Sequence, residues 1–248
     1  MTRITQLPCV SPLDFGKTST EASFATYAGE TFFAADGRRF ILGSTGASAI
    51  TAGKLVQSAA LIANHQNLTV TAYTAPNTST GTPAQVTVTL GATAVTANQY
   101  KFIAINDGVG AGQVLEVASH QAASASASLT LNLADTPVTA LTTASKVCLT
   151  PNPYTDVVVA PTTLTNSVVG ATAFDVAAAT YTLFQTYGLS AMLADGALVI
   201  GSPVSASGSV AGALVQTPYA ANLVTKGIVG RAAAAGVDTK YYQVFLTI

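Results

Sequence analysis

The chain has 248 residues, of which 10 are basic and 11 are acidic, so its formal net charge is −1. Only 8% of the residues are charged, against about 25% in an ordinary soluble domain. The hydrophobic fraction of 49% is too high for an intrinsically disordered chain. The near-neutral balance argues against non-specific nucleic-acid binding, which requires a basic surface that displaces counterions from phosphates.

The sequence also argues against insertion in a membrane and against export. No Lys, Arg, Asp or Glu occurs between Lys54 and Lys101, but Pro, Asn and Thr residues interrupt this stretch and leave no run of about 20 apolar residues. The start of the chain lacks the long apolar segment of a secretory signal. We therefore expect the glycosylation sequons at Asn67 and Asn77 to be unused.

Alternation of apolar and polar residues with period two dominates the chain, and it predicts half-buried strands of antiparallel sheets. Turn signals rich in Asp, Asn, Gly and Pro separate the alternating stretches, and no stretch carries a sustained apolar stripe with helical spacing. The predicted fold class is all-β, with antiparallel β-sandwich or barrel-like units. In chain order, the pattern predicts strands at Asn67–Tyr73, Gln85–Leu90, Tyr100–Asn106, Val114–Val117, Ser128–Leu133 and Tyr242–Ile248.

Two pairs of segments resemble each other at one constant offset, which indicates an internal duplication. The residues from Asp36 to Ile41 are echoed by Asp195–Ile200, and Ala52–Gln57 is echoed by Ala211–Gln216. Each Asp-Gly pair is typical of a two-residue hairpin turn. The second glycine, Gly53 in the first copy, fits a position where a side chain would clash or where the strand bulges.

We predict three parts along the chain. Residues 1–30 have the composition of an extended N-terminal arm, which would lie across a neighbouring subunit or be disordered alone. The duplicated β-units, at about 31–63 and 180–222, would form one domain that comprises 31–63 and 156–248. Residues 64–155 would form a middle β-rich domain between them.

Few residues could carry chemistry, and none of them forms a recognised catalytic motif. The segment 107–113 (Asp-Gly-Val-Gly-Ala-Gly-Gln) resembles a phosphate-binding loop, but it leads into a predicted strand instead of a helix, so we predict a glycine-rich turn. His65 and His120 are not accompanied by a nucleophile elbow. They also lack chelating spacing with Asp107 or Asp135. We predict surface or hydrogen-bonded histidines.

The other candidate groups are carboxylates, thiols and aromatic rings. The paired carboxylates of a glycosidase can meet only in the fold, but Asp36 and Asp195 are expected in turns, where aspartate bonds its own backbone. Cys9 and Cys148 are far apart without metal-ligand spacing, so we expect two free or buried thiols. The aromatic segment Phe184–Gly188 is predicted to be core or interface. We assign no catalytic residue, no metal ligand and no cofactor-binding residue, and we expect no cofactor.

A set of short motifs is spread along most of the chain. The motifs are Asp36-Gly37-Arg38-Arg39-Phe40, Gly46, Ala52-Gly53-Lys54-Leu55-Val56-Gln57, Ala97-Asn98-Gln99-Tyr100, the segment 107–113, Ser119-His120, Pro151-Asn152-Pro153-Tyr154, Gln185-Thr186-Tyr187-Gly188 and Val244-Phe245-Leu246-Thr247-Ile248. In this order they resemble a family of tailed-bacteriophage virion proteins described as head decoration or structural proteins. No motif in the set carries chemistry.

The resemblance implies a non-enzymatic capsid decoration (cement) protein that binds the outer shell and stabilises it against the internal pressure of packaged DNA. Its partner would be the major capsid protein of the same phage, and it would be assembled in the host cytoplasm onto the virion surface. We expect a homo-oligomer, with a trimer favoured, and no direct contact with nucleic acid or membrane. The low charge agrees with this role, because such a surface can be buried against shell subunits without leaving charges unpaired.

Other classes of function remain open at this point. Another virion structural component, such as a tail, neck or fibre-associated protein, would share the β-rich, charge-poor composition and differ in copy number. An adhesive or carbohydrate-binding β-domain would be expected to carry an export signal and an exposed aromatic platform. An enzyme hidden among the remaining acids is the third alternative.

Overall fold

A computed structural model describes residues 18–217 and 226–248 of the chain. Within these two ranges the chain forms strands and two short 3-10 helices, Ala22–Tyr27 and Ala63–His65, and no α-helix. The prediction of an all-β protein is confirmed. No helix in the described ranges is long and apolar enough to cross a bilayer.

The strands are numbered in chain order. They are β1 Thr31–Phe33, β2 Arg39–Ser44, β3 Leu55–Gln57, β4 Leu68–Thr74, β5 Gln85–Thr89, β6 Phe102–Asp107, β7 Val114–His120, β8 Ser128–Leu133, β9 Lys146–Thr150, β10 Val158–Val159, β11 Val168–Ala171, β12 Tyr181–Leu193, β13 Pro203–Ala206, β14 Leu214–Gln216, β15 Gly230–Ala232 and β16 Tyr241–Thr247. The six strands predicted from alternation correspond to β4, β5, β6, β7, β8 and β16, with small differences at their ends.

The chain divides into two compact units, which we describe separately. One comprises Met1–Ala60 and Pro153–Ile248, and we call it the sheet unit. The other comprises Leu61–Asn152, and we call it the barrel unit. The sequence places its predicted middle domain at 64–155.

The barrel unit is a closed antiparallel barrel with the strand order β4-β5-β8-β7-β6-β9. In β8 the alternation is strict: Leu129, Leu131 and Leu133 are buried, and the residues between them face outward or lie half-buried. Because side chains of successive strand residues point to opposite faces, this alternation places all the leucines in one interior. Burial of each leucine contributes about 1.5–3 kcal/mol, so the interior stabilises the closed barrel.

The sheet unit contains one sheet of ten strands, with the path β10-β3-β11-β12-β16-β15-β13-β14 and with β2 and β1 attached to β12. The long strand β12 is its centre, because it pairs with β11, β2 and β16. Tyr187 pairs with Arg39 of β2 and with Thr247 of β16, so these two strands flank β12 on opposite sides. Backbone hydrogen bonds from Gly212 to Ala160 and from Leu55 to Gly212, both 2.8 Å, link the two ends of the path.

One connection recurs in both units, and we call it a paired turn. Two chain segments meet at one isolated antiparallel bridge: Ile50 with Val176, Val95 with Ala123, and Leu198 with Gly236. Three residues after each bridge residue, a residue with φ between 51° and 80° donates its N–H to the partner segment. These hydrogen bonds run from Gly53 to Thr172 O, Ala179 to Gly46 O, Asn98 to His120 O, Ser126 to Gly91 O, Gly201 to Ala232 O and Thr239 to Ala194 O, at 2.8–3.1 Å.

The structure confirms the expectation for Gly53 and corrects that for the Asp-Gly pairs. Gly53 has φ +66°, and a Cβ there would lie 2.6 Å from the ring of Tyr241. The first Asp-Gly lies in a three-residue loop closed by a hydrogen bond from Ala34 N to Arg38 O. Only its glycine takes positive φ, whereas the predicted two-residue turn needs positive φ at both central positions. The second, at Asp195, closes no hairpin: its N–H bonds Leu214 O, and the chain continues into a paired turn.

The predicted N-terminal arm lies partly outside the described residues. Residues 1–17, including Cys9, belong to the part that the structure does not describe. The remainder packs on the sheet unit: Ser19 bridges Tyr181 through backbone hydrogen bonds, and the ring of Phe24 stacks on that of Tyr181 at 6.1 Å. This remainder includes a 3-10 helix, so residues 18–30 are not uniformly extended.

Candidate functional site

The glycine-rich segment 107–113 forms the connection between β6 and β7, as predicted. Its last residue, Gln113, holds the loop against the segment that precedes β9. The Gln113 amide donates to Gly110 O at 2.9 Å, and its Oε1 accepts the N–H of Val138 at 2.8 Å. The segment is therefore a hydrogen-bonded turn that packs on its own barrel.

The two histidines meet inside the barrel unit through Tyr100, and all three residues are buried. Nδ1 of His65 is hydrogen-bonded to the Tyr100 hydroxyl, and its Nε2 lies 2.9 Å from Thr93 O. Nε2 of His120 accepts the backbone N–H of Tyr100 at 2.9 Å, and its Nδ1 lies 2.9 Å from Gln121 O. The Tyr100 ring stacks on His120 at 5.9 Å. Both histidines are hydrogen-bonded, as the sequence predicts.

These partners determine the protonation of the histidine–tyrosine network. A carbonyl oxygen only accepts, so His65 carries its proton on Nε2 and His120 carries its proton on Nδ1. Desolvation by burial lowers the pKa of His120, although its hydrogen bond to Gln121 O opposes the shift. Burial also raises the pKa of Tyr100 to about 12. Every ring nitrogen in the network has a hydrogen-bond partner, so its groups hold the barrel interior together.

The acids that the sequence singled out lie in surface turns and ion pairs. Asp135 accepts the backbone N–H of Glu116 at 2.8 Å, and Glu116 pairs with Lys101 at 2.5 Å. Asp107 accepts the N–H of Gly108 at 2.8 Å and lies 3.8 Å from Lys146. Among the described residues, no group of three or more His, Cys, Asp or Glu is placed to hold a metal ion.

The remaining predicted candidates also have local structural roles. The Asp195 carboxylate accepts a hydrogen bond from the hydroxyl of Ser207, which follows β13. Asp36 accepts the N–H of Arg38 at 3.1 Å, a bond that lowers the pKa of its carboxyl. Cys148 is a free, half-buried thiol whose sulfur accepts the N–H of Asn67 at 3.4 Å. Cys9 lies outside the described residues.

A row of arginine and aromatic side chains crosses the outer face of the sheet unit, and sequence analysis did not predict it. It runs over β1, β2, β12, β16 and β15, and we call it the arginine–aromatic row. The guanidinium of Arg39 lies 5.6 Å from the Phe33 ring centre and 4.7 Å from that of Tyr187. The Tyr187 ring meets Phe245 edge-on at 5.0 Å, and Phe245 pairs with Arg231 of β15.

A cavity of about 490 Å³ adjoins this row. One wall is the β1–β2 loop, where Arg38 forms a 2.7 Å ion pair with Asp36. Tyr187, Leu189 and Phe245 also line it. Gly188 is a further lining residue, and only glycine fits there, because its φ is +93° and a Cβ would lie 2.9 Å from the Arg38 side chain.

The chain was compared with protein-family models, with curated proteins and with solved structures. None of them matches. The function is therefore argued from the sequence motifs and from the geometry. Arg39, Tyr187 and Phe245 all belong to the sequence motifs. The signal in the sequence that could have indicated part of the row is the alternation in β16, which puts Phe245 on the outward face together with Tyr241.

Proposed function

We propose that this chain is a non-enzymatic decoration (cement) protein of a bacteriophage capsid. It binds the outer shell and stabilises it against the pressure of packaged DNA. The observation that carries the proposal is the set of motifs that resembles the decoration-protein family in order along most of the chain. The partner is the major capsid protein of the same phage, and the site of action is the virion surface.

The places of the motif residues support a structural role. Asn98 makes a positive-φ turn with φ 56° and donates its N–H to His120 O. The Tyr154 ring lies against Gly29, where a Cβ would approach it to 3.2 Å. The Gln185 amide donates to Tyr187 O and Leu189 O at 3.1 and 3.0 Å, inside the central strand. These residues determine turns and strand contacts, which is what a protein needs when its shape is its function.

The surface chemistry also suits attachment to a shell. Outward residues of the sheet unit include Leu189, Tyr241 and Phe245, whose exposed fractions are 45%, 53% and 39%. Apolar and aromatic groups of this kind bury well against another protein.

Symmetry would strengthen this attachment. We propose a homo-oligomer, with a trimer favoured, in which each copy makes the same contact. Linking several modest contacts raises the effective concentration of each one, so the assembly is retained more strongly than a single copy. In this proposal the N-terminal arm reaches a neighbour, and a variant that starts at residue 18 tests its contribution.

The decisive experiment is the copy ratio of this chain to the major shell protein in purified particles, measured by quantitative mass spectrometry. We expect a fixed ratio close to a simple fraction of the shell copy number. A handful of copies per particle would instead assign the chain to the tail, neck or fibres. Absence from purified particles would contradict the proposal and favour the adhesive or enzymatic alternatives.

A further inference from the structure

We propose that the arginine–aromatic row is the surface that binds the capsid shell, and that the shell surface opposite it carries carboxylates on both sides of an apolar patch. The identity of the partner rests on the function proposed above. The chemistry of the partner follows from the row itself.

The outward face of the barrel unit provides a comparison for the row. At the centre of the outward face of β5 and β8, Thr87 and Thr130 lie opposite each other, and their hydroxyls are hydrogen-bonded at 3.0 Å. The corresponding central pair on β12 and β16 is Leu189 with Phe245. Both side chains are mid-strand, where threonine would satisfy the sheet equally well. Their apolar character therefore indicates a contact with another surface.

The charges of the row indicate what this other surface carries. The described part of the chain contains three arginines: Arg39 and Arg231 belong to the row, and Arg38 lines the cavity beside it. Arg38 is paired with Asp36. In the described ranges, Arg39 and Arg231 have no carboxylate partner: Arg39 lies between two rings, and Arg231 donates to Gly201 O at 3.1 Å. Desolvating an unpaired guanidinium is costly, so a partner that covers this face must supply carboxylates.

The spacing of these carboxylates can be read from the sheet. Arg39 is on β2 and Arg231 on β15, with β12 and β16 between them. Adjacent strands are about 4.8 Å apart, so three strand spacings place the two arginine positions roughly 15 Å apart on one face. The partner therefore has two acidic positions at this separation, with apolar residues between them that meet Leu189 and Phe245.

A protein surface fits this row better than a nucleic acid does. Binding to a phosphate backbone relies on neutralising many phosphates, about 6–10 in a typical DNA-binding protein. The row offers two unpaired guanidinium groups, with Asp36 nearby. In contrast, arginine with tyrosine or phenylalanine around a partly apolar centre is the composition enriched in protein–protein interfaces.

The test uses heads assembled from the major shell protein alone and the full chain added to them. The variant Arg39→Glu/Arg231→Glu reverses both unpaired charges. Its matched control, Lys101→Glu/Lys146→Glu, makes the same change of net charge on the barrel unit. A second pair compares Phe245→Thr with Val114→Thr, because Val114 is an outward, 65% exposed apolar residue of the barrel. Thermal unfolding of each free variant establishes that it is folded.

We expect both row variants to lower the apparent affinity by at least about tenfold, a loss that hot-spot residues commonly cause. We expect the controls to bind as the wild type does. Equal binding by row variants and controls would overturn the inference and leave the proposed function intact. Equal loss in the barrel controls would also overturn it, because the effect would then be one of net charge. Failure of the wild-type chain to bind heads would contradict the proposed function and this inference together.

Discussion

The two units differ in how the buried and exposed residues are arranged along their strands. In the barrel unit, strands have one buried apolar face and one outward face, which is polar in β5 and β8. In the sheet unit, the first half of β12 is buried on both faces from Thr182 to Thr186, and its second half alternates. The comparison shows that alternation of apolar and polar residues indicates a strand with one solvent-exposed face. A central strand that is covered on both faces lacks this alternation.

The units also differ in how they treat buried polar groups. The buried polar side chains of the barrel are hydrogen-bonded: His65 and His120 within the histidine–tyrosine network, and Ser145 to Val109 O. The sheet unit buries the hydroxyls of Thr182, Ser205 and Thr217, which have no hydrogen-bond partner in the described ranges. A buried network that is fully satisfied specifies one packing, whereas an unsatisfied hydroxyl only adds a desolvation cost.

The largest effect should come from removing a core side chain, and it should be confined to one unit. Phe184→Ala empties the fully buried centre of the sheet unit, and we expect a loss of about 3–5 kcal/mol of stability. Leu131→Ala is the matched change in the barrel, with an expected loss of about 2–5 kcal/mol. Hydrogen exchange measured by mass spectrometry on the full chain should show lost protection only in the mutated unit. Equal loss in both units for each variant would mean that the two cores unfold as one.

The next effect concerns the hydroxyl of Tyr100. Tyr100→Phe keeps the ring but leaves Nδ1 of His65 without its donor inside the barrel. Because an unsatisfied buried acceptor costs about 1–3 kcal/mol, we expect chemical denaturation to show a loss of this size. Tyr73→Phe, at a half-buried ring with no hydroxyl in this network, is the control and should change the free energy of unfolding little. If the two substitutions lowered the free energy of unfolding equally, the histidine–tyrosine network would not contribute to the stability of the barrel.

Acid should destabilise the barrel unit through His120, whose pKa is lowered by burial. The folded pKa of His120 is lowered, and protonated Nε2 could no longer accept the Tyr100 N–H. The unfolded chain therefore binds this proton more readily, so the contribution of His120 is complete above the unfolded pKa of about 6.5 and is lost as pH falls below it. We expect a loss of at most about 1.4 kcal/mol per pH unit from this group, seen as faster hydrogen exchange in the barrel at pH 5 than at pH 7 after correction for intrinsic rates.

A substitution tests whether this acid sensitivity arises at His120. In His120→Gln, the amide oxygen can replace Nε2 as acceptor without titrating. The difference in barrel protection between the two pH values should then shrink. An undiminished difference would assign the acid sensitivity to other groups.

The smallest effect has the opposite sign. Thr182→Val keeps the shape of the side chain and removes a buried hydroxyl without a partner. We expect stability to be unchanged or to rise by about 1 kcal/mol, since no hydrogen bond is lost. Thr45→Val is the contrasting control, because the Thr45 hydroxyl donates to Ala177 O at 2.7 Å. In thermal unfolding, the midpoint temperature of Thr182→Val should be equal to or higher than that of the wild type, and the midpoint temperature of Thr45→Val should be lower. The reverse order would show that Thr182 has a partner that matters.

Sequence reasoning succeeded where a structural signal is local. β8 was predicted at Ser128–Leu133 because its leucines alternate with polar residues. Gly53, in the repeated segment, was predicted to lie where a side chain would clash or where the strand bulges, and the structure shows the clash. The prediction of a two-residue turn at Asp36 was wrong, because the number of loop residues depends on the pairing register of β1 and β2. Sequence reasoning detected two sequence echoes but not the paired turns, since residues such as Ala179 and Ser126 take positive φ without a glycine.

The sequence by itself determined the all-β class, the positions of the barrel strands β4 to β8 and the low content of charged residues, since each of these follows from residue types and their spacing over a few positions. Only the tertiary structure decided that β12 lies between β2 and β16, and that His65, Tyr100 and His120 meet. The same holds for the arginine–aromatic row, whose members come from five strands. The physical reason is that strand periodicity is encoded locally, whereas the choice of partner strand and its register depends on which apolar faces can be buried together across the whole chain.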